Sequence, residues 1–291
     1  MDNRKTHIFD GTMVKIMACA DCNTKCEHCY ISYKGNFDKK TLEEIIKSLK
    51  GRYQIKINGT EPLLHHEYLP SLKRLNQRTV MTNGLVFKNN YEYLDILKDM
   101  GIKNIAVSYH FELHNIISKV DKTYLEGLFK EINKRGLTVT VMTTLSTTNY
   151  KNIEKYCDFC YKNNIRGIRF TNYLKQGNAT NLDDNLVLNN HQIRYIFNKI
   201  KEMRNKYDIN DLRILRCGSF GNDNYKESNF KCPAGIDSVI LTPNLKIYAC
   251  LFLAELGREI GYYKDGNVYI YDDFEPHAKY CSAKRILNNV K

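Results

Sequence analysis

Short apolar segments alternate with longer amphipathic segments over the first two thirds of the chain. The short segments are rich in β-branched and aromatic residues, which is typical of strands. Six such segments span residues 13–18, 53–57, 78–82, 103–108, 138–143 and 166–171. Strands that alternate with helices favour a parallel sheet with right-handed crossovers. The pattern therefore predicts an α/β fold, built as a partial or complete barrel or as a doubly wound sheet.

The amphipathic segments place apolar residues at i, i+3, i+4 and i+7, which predicts helices with one buried face. Three of these stripes are Leu42, Ile45, Ile46 and Leu49; Leu125, Leu128, Phe129 and Ile132; and Ile193, Ile196, Phe197 and Ile200. Gly101 and Gly136 lie just past predicted helix ends, where a left-handed residue is common. A further stripe contains Cys157 and Cys160, so we interpret both cysteines as buried apolar residues.

The alternation changes after about residue 206. Short antiparallel strands are predicted at residues 213–217, 237–243 and 245–250. Pro243 and Asn244 supply the turn between the last two strands. The expected parts of the chain are an N-terminal extension (1–12), an α/β domain (13–206) and a small α+β domain with a β-hairpin (207–291).

Composition and charge narrow the class of protein. Hydrophobic residues make up 43% of the 291 residues, which excludes a disordered chain. No apolar run approaches the roughly 20 residues that span a bilayer, and the polar N-terminus has no signal-peptide core. We therefore expect a soluble cytoplasmic protein without a membrane partner. The net charge of +12 permits nucleic-acid binding. The basic residues are spread along the chain rather than gathered into one block, so we favour overall composition over a nucleic-acid-binding surface as the origin of the charge.

Cysteines give the first indication of chemistry. The cytosol keeps thiols reduced, so ten cysteines there favour metal or redox chemistry over disulfides. A zinc ribbon needs two well-separated pairs of cysteines, and the four at the start of the chain are too close together for that. Cys22, Cys26 and Cys29 fit a three-ligand set better, in the loop after the first predicted strand. Three thiolates suit a [4Fe–4S] cluster that leaves one iron open, and Cys19 is interpreted as a packing or lining residue.

A second set of cysteines lies in the C-terminal part: Cys217, Cys232, Cys250 and Cys281. Cys232 precedes the predicted hairpin and Cys250 closes it, so these two thiols are expected to meet at one end. Four thiolates in a reducing compartment can ligate a [4Fe–4S] cluster or a zinc ion completely.

The first cysteine loop, CNTKCEHCY at residues 22–30, resembles the cluster loop of the radical S-adenosylmethionine (SAM) enzymes. In that family an aromatic residue before the third cysteine leans on the adenine, and His28 occupies this position. The segment INGTEPLL at residues 57–64 resembles the glycine-glycine-glutamate-proline segment of the family. Gly59, Glu61 and Pro62 match that segment, and Thr60 replaces its second glycine.

Three later segments resemble the family in the same order along the chain, at residues 81–87, 107–114 and 168–179. The resemblance places Asn83 near the SAM and Ser108 near its ribose. Arg169 would reach the SAM carboxylate or form a structural salt bridge, and His110 is a substrate-site candidate at the active end of its strand. Glu61 would pair with the cationic SAM amine. The match covers roughly residues 13–206.

The resemblance implies a partial (β/α)6 barrel and a specific chemistry. The open iron would bind SAM, and a low-potential donor such as flavodoxin or ferredoxin would supply an electron. Reductive cleavage would then give a 5′-deoxyadenosyl radical that abstracts a hydrogen atom from the substrate.

Residues 232–252 resemble the C-terminal auxiliary-cluster domain known as SPASM or, in its shorter form, twitch. The turn glycine of that domain is replaced near Asn244 and Leu245, and its dense cysteine run is missing, so one auxiliary [4Fe–4S] cluster is expected. Two alternatives stay open for Cys217. It ligates this cluster, which we favour, or its thiol returns a hydrogen atom to a substrate radical.

The sequence says less about the substrate than about the fold and the cofactor. The first predicted strand begins at residue 13, so no N-terminal leader-peptide-binding domain is expected, which favours a short peptide or a small polar metabolite. Oxidation or cross-linking, with the auxiliary cluster as electron acceptor, is the main hypothesis. The alternatives are a radical epimerase that uses Cys217 or another thiol as hydrogen-atom donor and, less favoured, a nucleic-acid-binding protein with structural metal.

Overall fold

The computed structural model describes residues 11–31, 33–217, 220 and 234–274. Its strands are β1 (Met13–Met17), β2 (Gln54–Asn58), β3 (Thr79–Thr82), β4 (Asn104–Ser108), β5 (Thr138–Leu145), β6 (Gly167–Asn172), β7 (Arg213–Arg216), β8 (Ser238–Leu241), β9 (Lys246–Tyr248), β10 (Gly261–Lys264) and β11 (Asn267–Ile270). Its α-helices are α1 (Lys39–Leu49), α2 (Leu69–Arg74), α3 (Glu92–Asp99), α4 (His114–Ile117), α5 (Lys122–Lys134), α6 (Ile153–Lys162), α7 (Asn190–Lys206) and α8 (Leu251–Glu255). The predicted α/β class and its six strands, β1 to β6, are confirmed.

These elements form two compact units. One unit contains β3 to β7, the helices α3 to α7 and the short segment 23–30. Its sheet has the order β3-β4-β5-β6-β7, and every neighbouring pair of strands is parallel. The predicted strand–helix repeat therefore accounts for β3 to β6 of this sheet.

Residues 213–217 were expected as an antiparallel strand, and this prediction is wrong. The strand β7 lies parallel to β6, with Gly167 opposite Arg213 and Phe170 opposite Arg216. The physical reason is the connection, because the long helix α7 carries the chain back across the sheet before β7 begins. A strand that follows such a crossover enters the sheet in the same direction as its neighbour.

The other unit contains a mixed sheet with the order β11-β10-β9-β8-β1-β2. The strands β8, β1 and β2 are parallel, whereas β8 to β11 pair in antiparallel fashion. The predicted β8–β9 hairpin is confirmed, and its turn is closed by the Leu245 amide donating to the Thr242 carbonyl at 2.9 Å. Since β8 also pairs with β1, this hairpin belongs to the same sheet as the first two strands. The expected domain boundary at residue 206 stays a prediction.

The helix stripes read from the sequence are buried, except that Phe197 of the α7 stripe is only half-buried. The four apolar residues of α1 and the four of α5 are all at most 2% exposed, and Cys157 and Cys160 on α6 are 0% exposed. Gly101 and Gly136 have positive φ angles, as expected for left-handed helix ends. None of the described helices is long and apolar enough to cross a membrane.

Candidate functional site

The cysteines within the described residues fall into two groups by exposure. Cys19, Cys157 and Cys160 are 0% exposed, and burial raises the pKa of the Cys19 and Cys157 thiols to about 12. Cys22, Cys26 and Cys29 are half-buried, and they form no disulfides. Metal binding requires accessible thiolates. The exposure pattern therefore agrees with the interpretation of Cys19 as a packing residue, whereas Cys22, Cys26 and Cys29 are more exposed.

Residues 26–29 form a turn in which the Cys29 amide donates to the Cys26 carbonyl at 3.2 Å. The two central residues of this turn contact one carbonyl. The Glu27 amide and the His28 imidazole Nδ1–H both donate to the Ile117 carbonyl, at 3.1 and 2.7 Å. The turn is thus tied to the end of α4 through its middle.

The two ends of the same turn contact Asn178. Its backbone amide donates to the Cys29 carbonyl at 2.8 Å, and its side-chain Nδ2 donates to the Cys26 carbonyl at 3.2 Å. The neighbouring Gly177 has a φ angle of +57°, and a β-carbon there would lie 2.7 Å from the Cys29 carbonyl oxygen. Only glycine lets this loop approach the turn so closely.

Two histidines, His110 and His114, lie with His28 of the turn in one cluster. The ring centroids of His28 and His110 are 4.5 Å apart, and the His110 and His114 rings are stacked at 5.6 Å. The Nδ1 atom of His110 accepts from the Thr144 amide, and that of His114 accepts from the His110 amide, both at 3.1 Å. Both rings therefore carry their proton on Nε2, and that of His114 donates to the Val120 carbonyl at 2.9 Å.

Burial lowers the pKa of all three rings. The pKa of His114 falls to about 4, that of His110 falls well below its ordinary value, and that of His28 is also lowered. The cluster is thus neutral at physiological pH. Because the Nδ1–H of His28 donates to Ile117, its Nε2 atom is left as a hydrogen-bond acceptor.

The sheet of the same unit places several predicted site residues on one face. One residue from each of β4 to β7 lies in register with the next across the sheet: Ser108, Met142, Arg169 and Leu215. The residue before each of these is buried on the opposite face of the sheet: Val107, Val141, Ile168 and Ile214. Asn83 directly follows β3 and contacts the cysteine segment, because its Nδ2 donates to the Asn23 side chain at 2.8 Å. Cys217 directly follows β7, and its amide donates to the Phe170 carbonyl at 2.8 Å. The structure thus brings Asn83, Ser108, Arg169 and Cys217 to the carboxyl-terminal edge of one parallel sheet, where α/β enzymes bind ligands.

In the other unit, the segment after β2 packs on the segment after β1. The amides of Thr60 and Glu61 donate to the carbonyls of Cys19 and Asp21, both at 3.0 Å. Glu61 and Pro62 are buried, and Glu61 is 0% exposed. Cys250, the described cysteine of this unit's hairpin, is half-buried at the start of α8. Cys232 and Cys281 lie outside the described residues, so the auxiliary cluster stays a prediction.

The first cysteine loop fits an iron–sulfur cluster by its donor chemistry. No three His, Cys, Asp or Glu side chains converge on a single ion among the described residues. A [4Fe–4S] cluster needs only a looser convergence than a single ion does, because each thiolate binds a different iron. What it needs is three accessible thiols on a short loop, and Cys22, Cys26 and Cys29 meet this requirement.

Ile117, Gly177 and Asn178 are site residues that the sequence analysis missed as such. Ile117 acts through its backbone carbonyl, which leaves no signal in the sequence. Gly177 and Asn178 lie within residues 168–179, and a glycine followed by an asparagine in a loop is a detectable sign of unusual backbone geometry.

The chain matches no protein-family model and no curated protein. Its fold is similar to that of SuiB from Streptococcus suis bound to the precursor peptide SuiA, with a TM-score of 0.65 and 19% identity over 85% of this chain and 61% of SuiB. SuiB bound to S-adenosylmethionine gives a TM-score of 0.62 and 18% identity over 84% of this chain and 59% of that one.

A second protein, anSMEcpe with bound AdoMet and the Kp18Cys peptide, gives a TM-score of 0.63 and 17% identity over 86% of this chain and 77% of its own. Identities this low show a shared fold, and they confirm the fold class. The chain spans about three fifths of the length of the SuiB chains.

Proposed function

We propose that this chain is a radical SAM enzyme that binds a [4Fe–4S] cluster through Cys22, Cys26 and Cys29. One observation carries the proposal. The turn that bears Cys26 and Cys29 is fixed by hydrogen bonds to Ile117 and Asn178, yet its thiols stay half-exposed. A loop held in place around accessible thiols is what a cluster with an open iron requires. The shared fold with SAM-bound structures supports the same conclusion.

When bound, the cluster would pass one electron from a flavodoxin- or ferredoxin-type donor to the sulfonium of SAM, giving methionine and a 5′-deoxyadenosyl radical that takes a hydrogen atom from the substrate. The protein side chains bind and orient the cofactor. In this proposal Glu61 pairs with the SAM amine, with Gly59, Thr60 and Pro62 shaping its loop. His28 packs against the adenine.

The sheet edge contributes the remaining cofactor contacts in this proposal. Asn83 and Ser108 contact the nucleoside, and Arg169 pairs with the SAM carboxylate. Their common position at the carboxyl-terminal edge supports this assignment. His110, which is 4% exposed next to His28, orients that ring.

A peptide is the favoured substrate, because SuiB and anSMEcpe share the fold and solved structures of both contain a bound peptide. The reaction is oxidation or cross-linking. An auxiliary [4Fe–4S] cluster would supply the acceptor for the electron that the substrate gives up after its hydrogen atom, and the accompanying proton would leave to water. In this proposal the residues that would hold that cluster are Cys217, Cys232, Cys250 and Cys281.

A second candidate is a radical epimerase, and the position of Cys217 favours it. This half-buried thiol follows β7 two residues after Leu215, on the face of the sheet that carries Arg169. A thiol there would return a hydrogen atom to the substrate radical from the ligand-binding edge, and the resulting thiyl radical would be reduced by one electron from the flavodoxin- or ferredoxin-type donor and one proton from water. The substrate would then change configuration without a change in mass.

Anaerobic reconstitution tests the class of enzyme. Wild-type protein with iron and sulfide should be brown, and with dithionite and SAM it should release 5′-deoxyadenosine. Separate Cys22→Ala, Cys26→Ala and Cys29→Ala variants should release none. Cys160→Ala is the matched control, because Cys160 is buried on α6, and it should take up iron and release 5′-deoxyadenosine as wild type does. Zinc in place of iron, or no 5′-deoxyadenosine from wild type, would reject the proposal.

Turnover in deuterated water separates the two reactions. Solvent deuterium in a product of otherwise unchanged composition identifies epimerisation, and Cys217→Ala should then abolish the exchange. A product lighter by two hydrogen atoms identifies oxidation. The substrate pool to screen is peptides from cells with and without the protein, compared by mass.

A further inference from the structure

Each of the four residues of the Cys26–Cys29 turn makes a hydrogen bond to a residue far away in the sequence. The central residues contact the Ile117 carbonyl, and the outer residues contact Asn178. Ile117 contributes only backbone atoms. Asn178 contributes a backbone amide and a side-chain amide, one for each cysteine carbonyl. Of the contacts to the two outer residues, Cys26 and Cys29, the one to the Cys26 carbonyl therefore depends on the Asn178 side chain.

We propose that the Asn178 side chain is a positioning residue, which sets the Cys26–Cys29 turn in its ligand-bearing conformation before a cluster binds. This inference rests on the proposed function, because it assigns the two cysteines as ligands. It adds a residue that contacts neither the cluster nor a thiol. Asn178 acts through the carbonyls of both ligand residues.

The hydrogen-bond lengths support a dependence on Asn178. The bond that closes the turn, from the Cys29 amide to the Cys26 carbonyl, is long at 3.2 Å. The Nδ2 atom of Asn178 donates to the same carbonyl, also at 3.2 Å, and its backbone amide holds the Cys29 carbonyl at 2.8 Å. Two donors of one residue thus fix the two ends of the turn relative to each other. A turn ordered in advance loses less conformational entropy when it binds a ligand.

The loop that carries Asn178 is built for close approach. A β-carbon on Gly177 would lie 2.7 Å from the Cys29 carbonyl oxygen and 2.7 Å from the Tyr30 carbonyl carbon. Gly177 therefore lets the amide and side chain of Asn178 reach the turn. Asn178 itself is exposed, so its replacement removes a contact without opening a cavity in the core.

The first test uses the metal-free full chain. Hydrogen exchange of the peptide covering residues 24–31 should be about fivefold faster in Asn178→Ala, as the loss of one hydrogen bond implies. Asn178→Asp should exchange faster still, because its carboxylate cannot donate and repels the Cys26 carbonyl. Asn133→Ala is the matched control. It removes a comparable bond from Asn133 Nδ2 to the Asn163 carbonyl, and it should leave this peptide unchanged.

The second test measures the cluster itself. After reconstitution, iron and sulfide per chain and the electron paramagnetic resonance signal of the reduced protein should both fall in Asn178→Ala, and iron should be lost to a chelator about fivefold faster than from wild type or Asn133→Ala. The melting temperature of the metal-free protein should stay the same in all three proteins.

The outcomes separate this inference from the proposed function. Unchanged exchange at residues 24–31 in Asn178→Ala, or faster exchange with an unchanged cluster, would overturn the inference alone. A wild-type chain that takes up no cluster would overturn the proposed function, and the assignment of Asn178 to cluster positioning with it.

Discussion

Gly59 packs directly against the thiol of Cys19, so that a β-carbon on Gly59 would lie 2.6 Å from the sulfur of Cys19 and 3.2 Å from its carbonyl oxygen. Gly59 follows β2 and Cys19 follows β1 at the same end of two paired strands. The contact lets the Thr60 amide reach the Cys19 carbonyl. The glycine is therefore required by space, and the buried cysteine is the residue that fills the space opposite it.

Replacement of Gly59 by alanine should destabilise the protein by about 1–3 kcal/mol, because a side chain is forced into a filled region. Cys19→Ala removes the sulfur and should relieve most of that strain in the double variant. Urea unfolding of the two single variants and the double variant measures the coupling. If the changes in unfolding free energy of the two single variants simply added up in the double variant, the contact between Gly59 and Cys19 would not limit packing.

The buried cysteines of α6 should be important for stability and unimportant for iron. Cys160 is 0% exposed, and burial raises its pKa well above the ordinary value. Cys160→Ser places a hydroxyl in this apolar site and should cost about 1–3 kcal/mol. Urea unfolding checks this cost, and iron per reconstituted chain should stay at the wild-type level. A loss of iron without a loss of stability would contradict the assignment of Cys160 to the core.

The histidine cluster should make the metal-free protein sensitive to mild acid. The pKa of His114 is about 4 in the folded chain, and its ordinary value is 6.5. Below pH 6.5 the unfolded chain binds a proton that the folded chain does not, so the free energy of unfolding falls as the pH falls. The slope reaches about 1.4 kcal/mol per pH unit for each such group, and the effect disappears above pH 6.5.

His114→Asn isolates this contribution. Its Oδ1 atom can still accept from the His110 amide, but the side chain no longer titrates. The aromatic and titratable groups around the His114 ring are unchanged in the variant: Tyr109, His110, His28, Asp121 and Lys122. Between pH 6.5 and 5, the slope of the unfolding free energy against pH should be smaller than in wild type by up to about 1.4 kcal/mol per pH unit, which corresponds to one proton. An unchanged slope would show that His114 does not change its proton binding on unfolding.

The sequence predicted those parts of the fold that depend on local patterns. The strands β1 to β6 and the buried stripes of α1 and α5 follow from apolar periodicity over about ten residues. The direction of β7 was predicted wrongly, since a five-residue strand does not reveal its partner. The pairing of β8 with β1 was also not predicted, because that contact joins residues more than 220 positions apart.

The candidate site divides in the same way. Cys22, Cys26 and Cys29 were found because their spacing is local. The contacts that hold their turn were not found, since Ile117 lies 89 residues from His28 and Asn178 lies 152 residues from Cys26. A carbonyl or a single asparagine has no periodic pattern, and its contribution appears only when the chain has folded.

Two glycines of the parallel-sheet unit should respond in opposite directions to alanine. Gly127 lies inside α5 with nothing within 4 Å of its added β-carbon, and Gly101 has a φ angle of +92° with similarly open surroundings. Gly127→Ala should raise the free energy of unfolding by about 0.5–1 kcal/mol, because glycine is a poor helix former.

Gly101→Ala should lower the same free energy by about 1–2 kcal/mol, since an L-residue is strained in the left-handed region. Neither change meets a neighbouring atom, so the pair isolates backbone conformation from packing. Urea unfolding at one pH provides both values. If both variants changed the free energy of unfolding in the same direction, the left-handed conformation assigned to Gly101 at the end of α3 would be wrong.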